Sequence, residues 1–163
     1  MKKLLLIFTL LLILTGCSNT ELNNFFNKIE TSNYILTITV NDNDINILEV
    51  NNDTAYAYNL KADSKSEEVY FTNLDTTYKT YIYSNEQWKT TTSSSYYNNY
   101  FGLIQIKDQK FTKENDYYTF TYDIGTFNIY PEDSKAMLTN TVTNEYVVYQ
   151  YNFKEAPIIT LPF

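Results

Sequence analysis

Few side chains in this 163-residue chain are equipped for covalent chemistry. There is no histidine and no arginine, and all twelve basic residues are lysines. A Ser-His-Asp or Cys-His nucleophile needs an imidazole to take its proton, so both arrangements are excluded. The serine–lysine pattern S-x-x-K does not occur. What remains is one thiol, Cys17, and nineteen carboxylates. Zinc wants imidazole or several thiolates and finds neither. Two carboxylates facing each other across a cleft would suit glycosidic hydrolysis. No such pair is marked out by spacing, and acids scattered through polar segments read as solubilising turns and outer faces. Calcium takes oxygen ligands, and Asp42, Asp44 and Asn46 stand in D-x-D-x-N spacing. An EF-hand loop would place Gly where Ile47 stands and Glu where Asp53 stands, so the stretch reads better as a turn entering a strand. No metal, no cofactor and no enzymatic activity are expected.

The thiol is the informative group. Lys2 and Lys3 precede an apolar run of eleven residues, Leu4 to Leu14. A membrane-spanning helix needs about 20 apolar residues, so this run is too short to span but suits a secretory signal peptide. Its exit, Leu14-Thr15-Gly16-Cys17, resembles the lipobox of bacterial lipoprotein precursors. That resemblance implies a diacylglyceryl group on the Cys17 sulfur, removal of residues 1–16, and a mature chain starting at Cys17. One acyl chain holds a protein only marginally, and a diacylglyceryl thioether supplies two. The expected location is the extracytoplasmic face of the cell membrane, held by lipid. With a single cysteine no intramolecular disulfide is possible, so the fold rests on its core.

The mature chain is the size of one domain. The full chain's 17 Tyr and 10 Phe are far too many for a disordered segment. Without Lys2 and Lys3, ten lysines face nineteen acids, a net charge of about −9. An acidic surface without arginine argues against nucleic acid and against the body adsorbing to anionic lipid.

Hydrophobic spacing gives the elements. In residues 18–30, Leu22, Phe25, Phe26 and Ile29 make one helical stripe, with Ser18 and Glu21 as a capping box. A solvated tether between lipid and domain is the competing reading of residues 17–33. From Tyr34 the period changes to two. Strands are expected at 34–40, 45–50, 54–58, 68–73, 77–84 and 88–92, with a polar loop at 62–67. An aromatic helix is expected over 94–103, where Tyr96, Tyr97, Tyr100, Phe101 and Ile104 share a stripe. Further strands follow at 110–112, 117–123, 125–130, 136–142 and 146–153, and the C-terminus runs extended. Turn signals every eight to twelve residues indicate an antiparallel meander rather than βαβ units. The fold class is α+β: a curved antiparallel sheet, half-barrel-like, with one or two short helices on one face and a single domain over 34–163.

The order of lipobox, helix, meander, Gln87-Trp88-Lys89 strand, aromatic helix and final Tyr149–Phe153 strand resembles small surface lipoproteins of low-GC bacteria. More loosely it is similar to half-barrel lipoprotein carriers of the LolA/LolB and LppX type. That resemblance implies a curved sheet wrapped over helices around an apolar cavity. Tyr56, Tyr58, Tyr118, Phe120, Tyr122, Tyr149, Tyr151 and Phe153 are the candidates to line a concave sheet face. They are either a binding surface or simply the core beneath the helices. The expected function is a non-enzymatic binding module or carrier for a hydrophobic or amphiphilic ligand. The alternative is a surface interaction protein with a filled core, its partner a surface protein or glycan.

Overall fold

A computed structural model describes residues 19–61, 64–74, 77–93, 103–154 and 158–162. The chain enters through helix α1 (Thr20–Thr31) and then lays down β1 (Tyr34–Val40), β2 (Asp44–Asn51), β3 (Thr54–Lys61), β4 (Ser64–Leu74), β5 (Thr77–Ser84) and β6 (Gln87–Ser93). A 3-10 turn (Ile104–Ile106) precedes β7 (Thr112–Lys113), β8 (Tyr118–Tyr122), β9 (Gly125–Tyr130), β10 (Lys135–Asn140) and β11 (Tyr146–Asn152). All eleven strands form one open, curved sheet in the order β6-β5-β4-β3-β2-β1-β11-β10-β9-β8-β7. Every neighbouring pair is antiparallel. Nine of the ten pairings join strands consecutive in sequence; β1 with β11 is the exception. The sheet is therefore two meanders sutured along its middle.

Helix α1 is built from a poor helix-forming sequence, with Asn at positions 23, 24 and 27. Packing holds it instead. Leu22, Phe25, Phe26 and Ile29 are all buried, the stripe read from the sequence. Such side chains contribute roughly 1.5–3 kcal/mol each when fully buried. Ser18 of the expected capping box lies outside the described residues; Asn19 occupies the N-cap position and makes no side-chain cap hydrogen bond. The Glu21 carboxylate instead accepts hydrogen bonds from Lys113 Nζ at 2.9 Å and Tyr118 Oη at 3.0 Å. At the other end Lys107 Nζ reaches Glu30 at 2.5 Å. The helix thus lies across one face of the sheet, clipped at its start to β7 and β8 and at its end to the 3-10 turn.

With three glycines in the chain, asparagine does much of the turning. Asn41 and Asp42, and again Asn85 and Glu86, are consecutive residues with positive φ. That is the geometry of the primed hairpin turns that match sheet twist. Asn tolerates this region because its side chain can hydrogen-bond locally. The expected polar loop at 62–67 is partly strand, since β4 begins at Ser64. A bulge interrupts the β3–β4 register between Ala57 and Asn59, and Glu67 lies opposite it at φ 54°. Of the expected helix over 94–103, only Leu103 lies within the described residues, and it is buried. One helix and one 3-10 turn accompany the sheet among the described residues.

Candidate functional site

Strand register decides which aromatics can act together. Leu36 pairs with Tyr151 on one side and with Leu48 on the other, and Leu48 pairs with Ala57. Directly paired residues point to the same face. Tyr149 pairs with Ala136, Ala136 with Ile129, and Ile129 with Tyr118. Tyr118, Phe120, Tyr122, Tyr149, Tyr151 and Phe153 therefore share the face that carries α1. The centre of this face is filled with rings. Phe25 meets Tyr151 edge-on at 5.6 Å between centroids, Tyr34 meets Tyr151 at 5.4 Å, and Phe153 stacks on Tyr151 at 5.6 Å. Phe26, Phe111 and Phe120 continue the series. Tyr118 is 1% exposed and Tyr151 3%. Tyr122 lies further out, its hydroxyl crossing Gly125 where a Cβ would come within 2.7 Å. A larger residue at 125 would push the Tyr122 ring end aside.

Tyr56 and Tyr58 do not join this set. They alternate with Ala55 and Ala57, and it is the alanines that face the helix side. The period-two pattern is right, but its phase is not visible locally: a one-residue shift moves every side chain to the other face. Small residues fit inward here because Leu48, Val50 and Phe71 fill the space around them.

On the outer face the two tyrosines open a ladder that crosses four strands. Tyr56 stacks on Tyr70 at 4.3 Å and tilts against Tyr58 at 4.9 Å. Tyr70 meets Trp88 at 5.3 Å, and Trp88 meets Tyr83 at 5.1 Å. Charged groups edge the rings. Lys65 Nζ sits 4.2 Å from the Tyr58 ring centre and 4.8 Å from that of Tyr56, a cation–π geometry. Tyr56 Oη donates to Glu68 at 2.5 Å and Tyr58 Oη to Glu49 at 3.2 Å. Burial, and secondarily Glu49, pushes the Tyr58 hydroxyl up to about 12. Burial and the Glu68 hydrogen bond push Tyr56 higher still. Both remain neutral donors across the physiological range. Tyr83 is 42% exposed, while Tyr58, Tyr70 and Trp88 are half-buried. Sequence reasoning missed Tyr70, Tyr83 and Trp88. A signal was present: Tyr83 and Trp88 flank the Asn85–Glu86 turn symmetrically and pair directly across it.

The remaining oxygen-rich stretch is committed to a hairpin. Tyr146 Oη donates to Asp42, and Asn46 Oδ1 accepts from Asn59 Nδ2 at 3.1 Å. A polar groove of about 380 Å³ runs between α1 and the β9–β10 turn, lined by Glu21, Asn24, Lys28, Pro131, Glu132 and Ser134 among others. Lys113 and Tyr118 hold the Glu21 carboxyl below its usual range through their hydrogen bonds. Cys17 lies outside the described residues. Among the described residues no helix is long and apolar enough to cross a membrane.

Comparison with known proteins adds the following. No curated protein matches the sequence. The fold has a solved neighbour in the lipoprotein LppX of Mycobacterium tuberculosis, 10% identical, covering 85% of this chain and 96% of that one at a TM-score of 0.44. Residues 1–18 match the family model of the prokaryotic membrane lipoprotein lipid attachment site, so the chain carries the attachment signal of a membrane lipoprotein around Cys17.

Proposed function

We propose that this is a lipid-anchored, extracytoplasmic binding protein without enzymatic activity, holding an amphiphilic ligand against the tyrosine ladder of β3–β6. The observation that carries the reading is the run of partly exposed rings formed by Tyr58, Tyr70, Trp88 and Tyr83, edged by Lys65, Glu49 and Glu68. Rings offer apolar faces, and the charged and hydroxyl groups at their edges fix orientation, as an amphiphile requires. Of the helix-face candidates, Tyr118 and Tyr151 serve as core. Their burial favours a second reading, a surface interaction protein with a filled interior whose protein or glycan partner meets the same outer face.

Trp88 is the one tryptophan of the chain and sits inside the ladder, so it reports occupancy directly. The mature domain is titrated with a lysophospholipid and, separately, with a glucan oligosaccharide. A saturable change in Trp88 emission, abolished by Tyr70→Ala and matched by an adduct in native mass spectrometry, is expected with one of them. A flat response to both from folded protein sinks the ligand reading and leaves the interaction protein.

A further inference from the structure

Two regions of the molecule stand apart from the ladder: the polar groove along α1 and the end of the sheet where α1 begins. The latter carries an inference furthest, because the chain beyond it is short and ends in a known kind of anchor. We infer that the β7–β8 turn (114–117) and the β9–β10 turn (131–134) rest against the lipid headgroup layer, and that the tyrosine ladder is carried at the far side of the domain. The inference rests on lipid attachment at Cys17 and goes beyond it, since an anchor alone does not say which surface faces the membrane.

The geometry is set by reach. Helix α1 starts at Thr20, three residues after Cys17. Three residues span at most about 11 Å even when fully extended. The first helical turn is fixed to the sheet through Glu21, which binds Lys113 on β7 and Tyr118 on β8. The two turns in question belong to the same end of the sheet: Tyr118 and Ile129, which stand just inside them, are direct partners. The β9–β10 turn also forms a wall of the groove beside Glu21, through Pro131, Glu132 and Ser134. Whatever tilt the domain adopts, these residues cannot leave the neighbourhood of the anchored sulfur.

The surface they form fits a hydrated, polar partner. Glu114, Asn115 and Asp116 on one turn and Glu132 and Asp133 on the other are exposed. Neither turn offers an exposed aliphatic side chain for insertion into the hydrocarbon. Contact with headgroups is therefore apposition across water, imposed by the lipid on Cys17 rather than by charge attraction. At the opposite edge, β6 lies nine strand spacings from β8. At about 4.8 Å per spacing that is roughly 43 Å along the sheet.

The chain allows a direct test, because its one native thiol is consumed by the lipid. An introduced cysteine is then the only free thiol for a spin label. Lipidated mature protein carrying Glu132→Cys, Asp116→Cys or Gln87→Cys, all exposed positions, is reconstituted in vesicles of phosphatidylethanolamine and phosphatidylglycerol. Relaxation by a nickel chelate attached to lipid is measured. Labels at 116 and 132 are expected to relax several-fold faster than the label at 87, which stands on the edge strand at the opposite strand end. Equal relaxation, or faster relaxation at 87, overturns the orientation while leaving the anchor intact. Protein that fails to float with vesicles and labels at Cys17 overturns the anchor, and the orientation with it.

Discussion

The two faces of the sheet use the same amino acid for opposite ends. On the helix face, Tyr118 and Tyr151 are almost completely enclosed and act as large hydrophobic wedges. On the outer face, Tyr58, Tyr70 and Tyr83 keep part of each ring in water and are ringed by charge. Tyrosine serves both because its body is apolar and its tip polar. The difference lies in what covers the ring: an amphipathic helix on one side, and on the other a lysine amine and neighbouring rings. A tyrosine-rich strand pattern therefore marks two half-committed faces and does not say which of them is core.

This contrast can be attacked from either side. The largest effect belongs to the helix face. Phe25→Ala removes the ring that Phe26 and Tyr151 pack against, and should cost about 3–5 kcal/mol in urea unfolding. A loss near zero would mean α1 does not hold the core. On the outer face, Tyr70→Ala opens the middle of the ladder. It should cost only about 1–2 kcal/mol while removing the Trp88 response to ligand. If stability falls as far as in Phe25→Ala, the ladder is core as well.

Alkaline titration probes both faces, since burial also raises the Tyr118, Tyr149 and Tyr151 hydroxyls. Tyr56 and Tyr58 have hydroxyls raised by burial and by Glu68 and Glu49. The folded state holds those protons more tightly than the unfolded state, so the stabilisation is complete below the ordinary tyrosine value near 10. It is lost as pH rises from there towards about 12 for Tyr58. Unfolding followed against pH should turn downward above 10, less steeply in Tyr58→Phe. The smallest effect is expected at two hydroxyls of the helix face. Tyr118 Oη bonds Glu21, so Tyr118→Phe should be measurably destabilising. The Tyr151 hydroxyl is buried beside the Leu103 backbone without a hydrogen bond of ordinary geometry. Tyr151→Phe should fall within about 0.5 kcal/mol of the parent, or above it.

Much of the architecture was legible in the residue pattern. The stripe of Leu22, Phe25, Phe26 and Ile29 gave the helix and its buried face, and residues 125–130 and the 34–40 strand were placed to the residue. These succeed because periodicity is local. The failures are all long-range. Tyr56 and Tyr58 were put on the wrong face because their phase is set by partners on β2 and β4. The strand character of Ser64–Glu67 was hidden by its polar composition and by a bulge that only pairing with β3 reveals. Glu21 looked like a capping partner for Ser18, while its actual partners lie some ninety residues away. Six of the candidates lie on one face, and the ladder's other half was missed because Tyr70, Tyr83 and Trp88 come from three different strands.

The single non-sequential pairing, β1 with β11, has a consequence for how the chain comes into being. Ile35 waits for Asn152, and Leu36 for Tyr151. A nascent chain emerging from its amino end exposes the greasy flank of α1 and the open rim of β1 well before their mates arrive. The first six strands can zip up hairpin by hairpin, since those contacts are near neighbours. The seam cannot close until Tyr146–Asn152 has emerged. Throughout that interval the protein is a half-built sheet tethered at its start, with its stickiest border pointing outward.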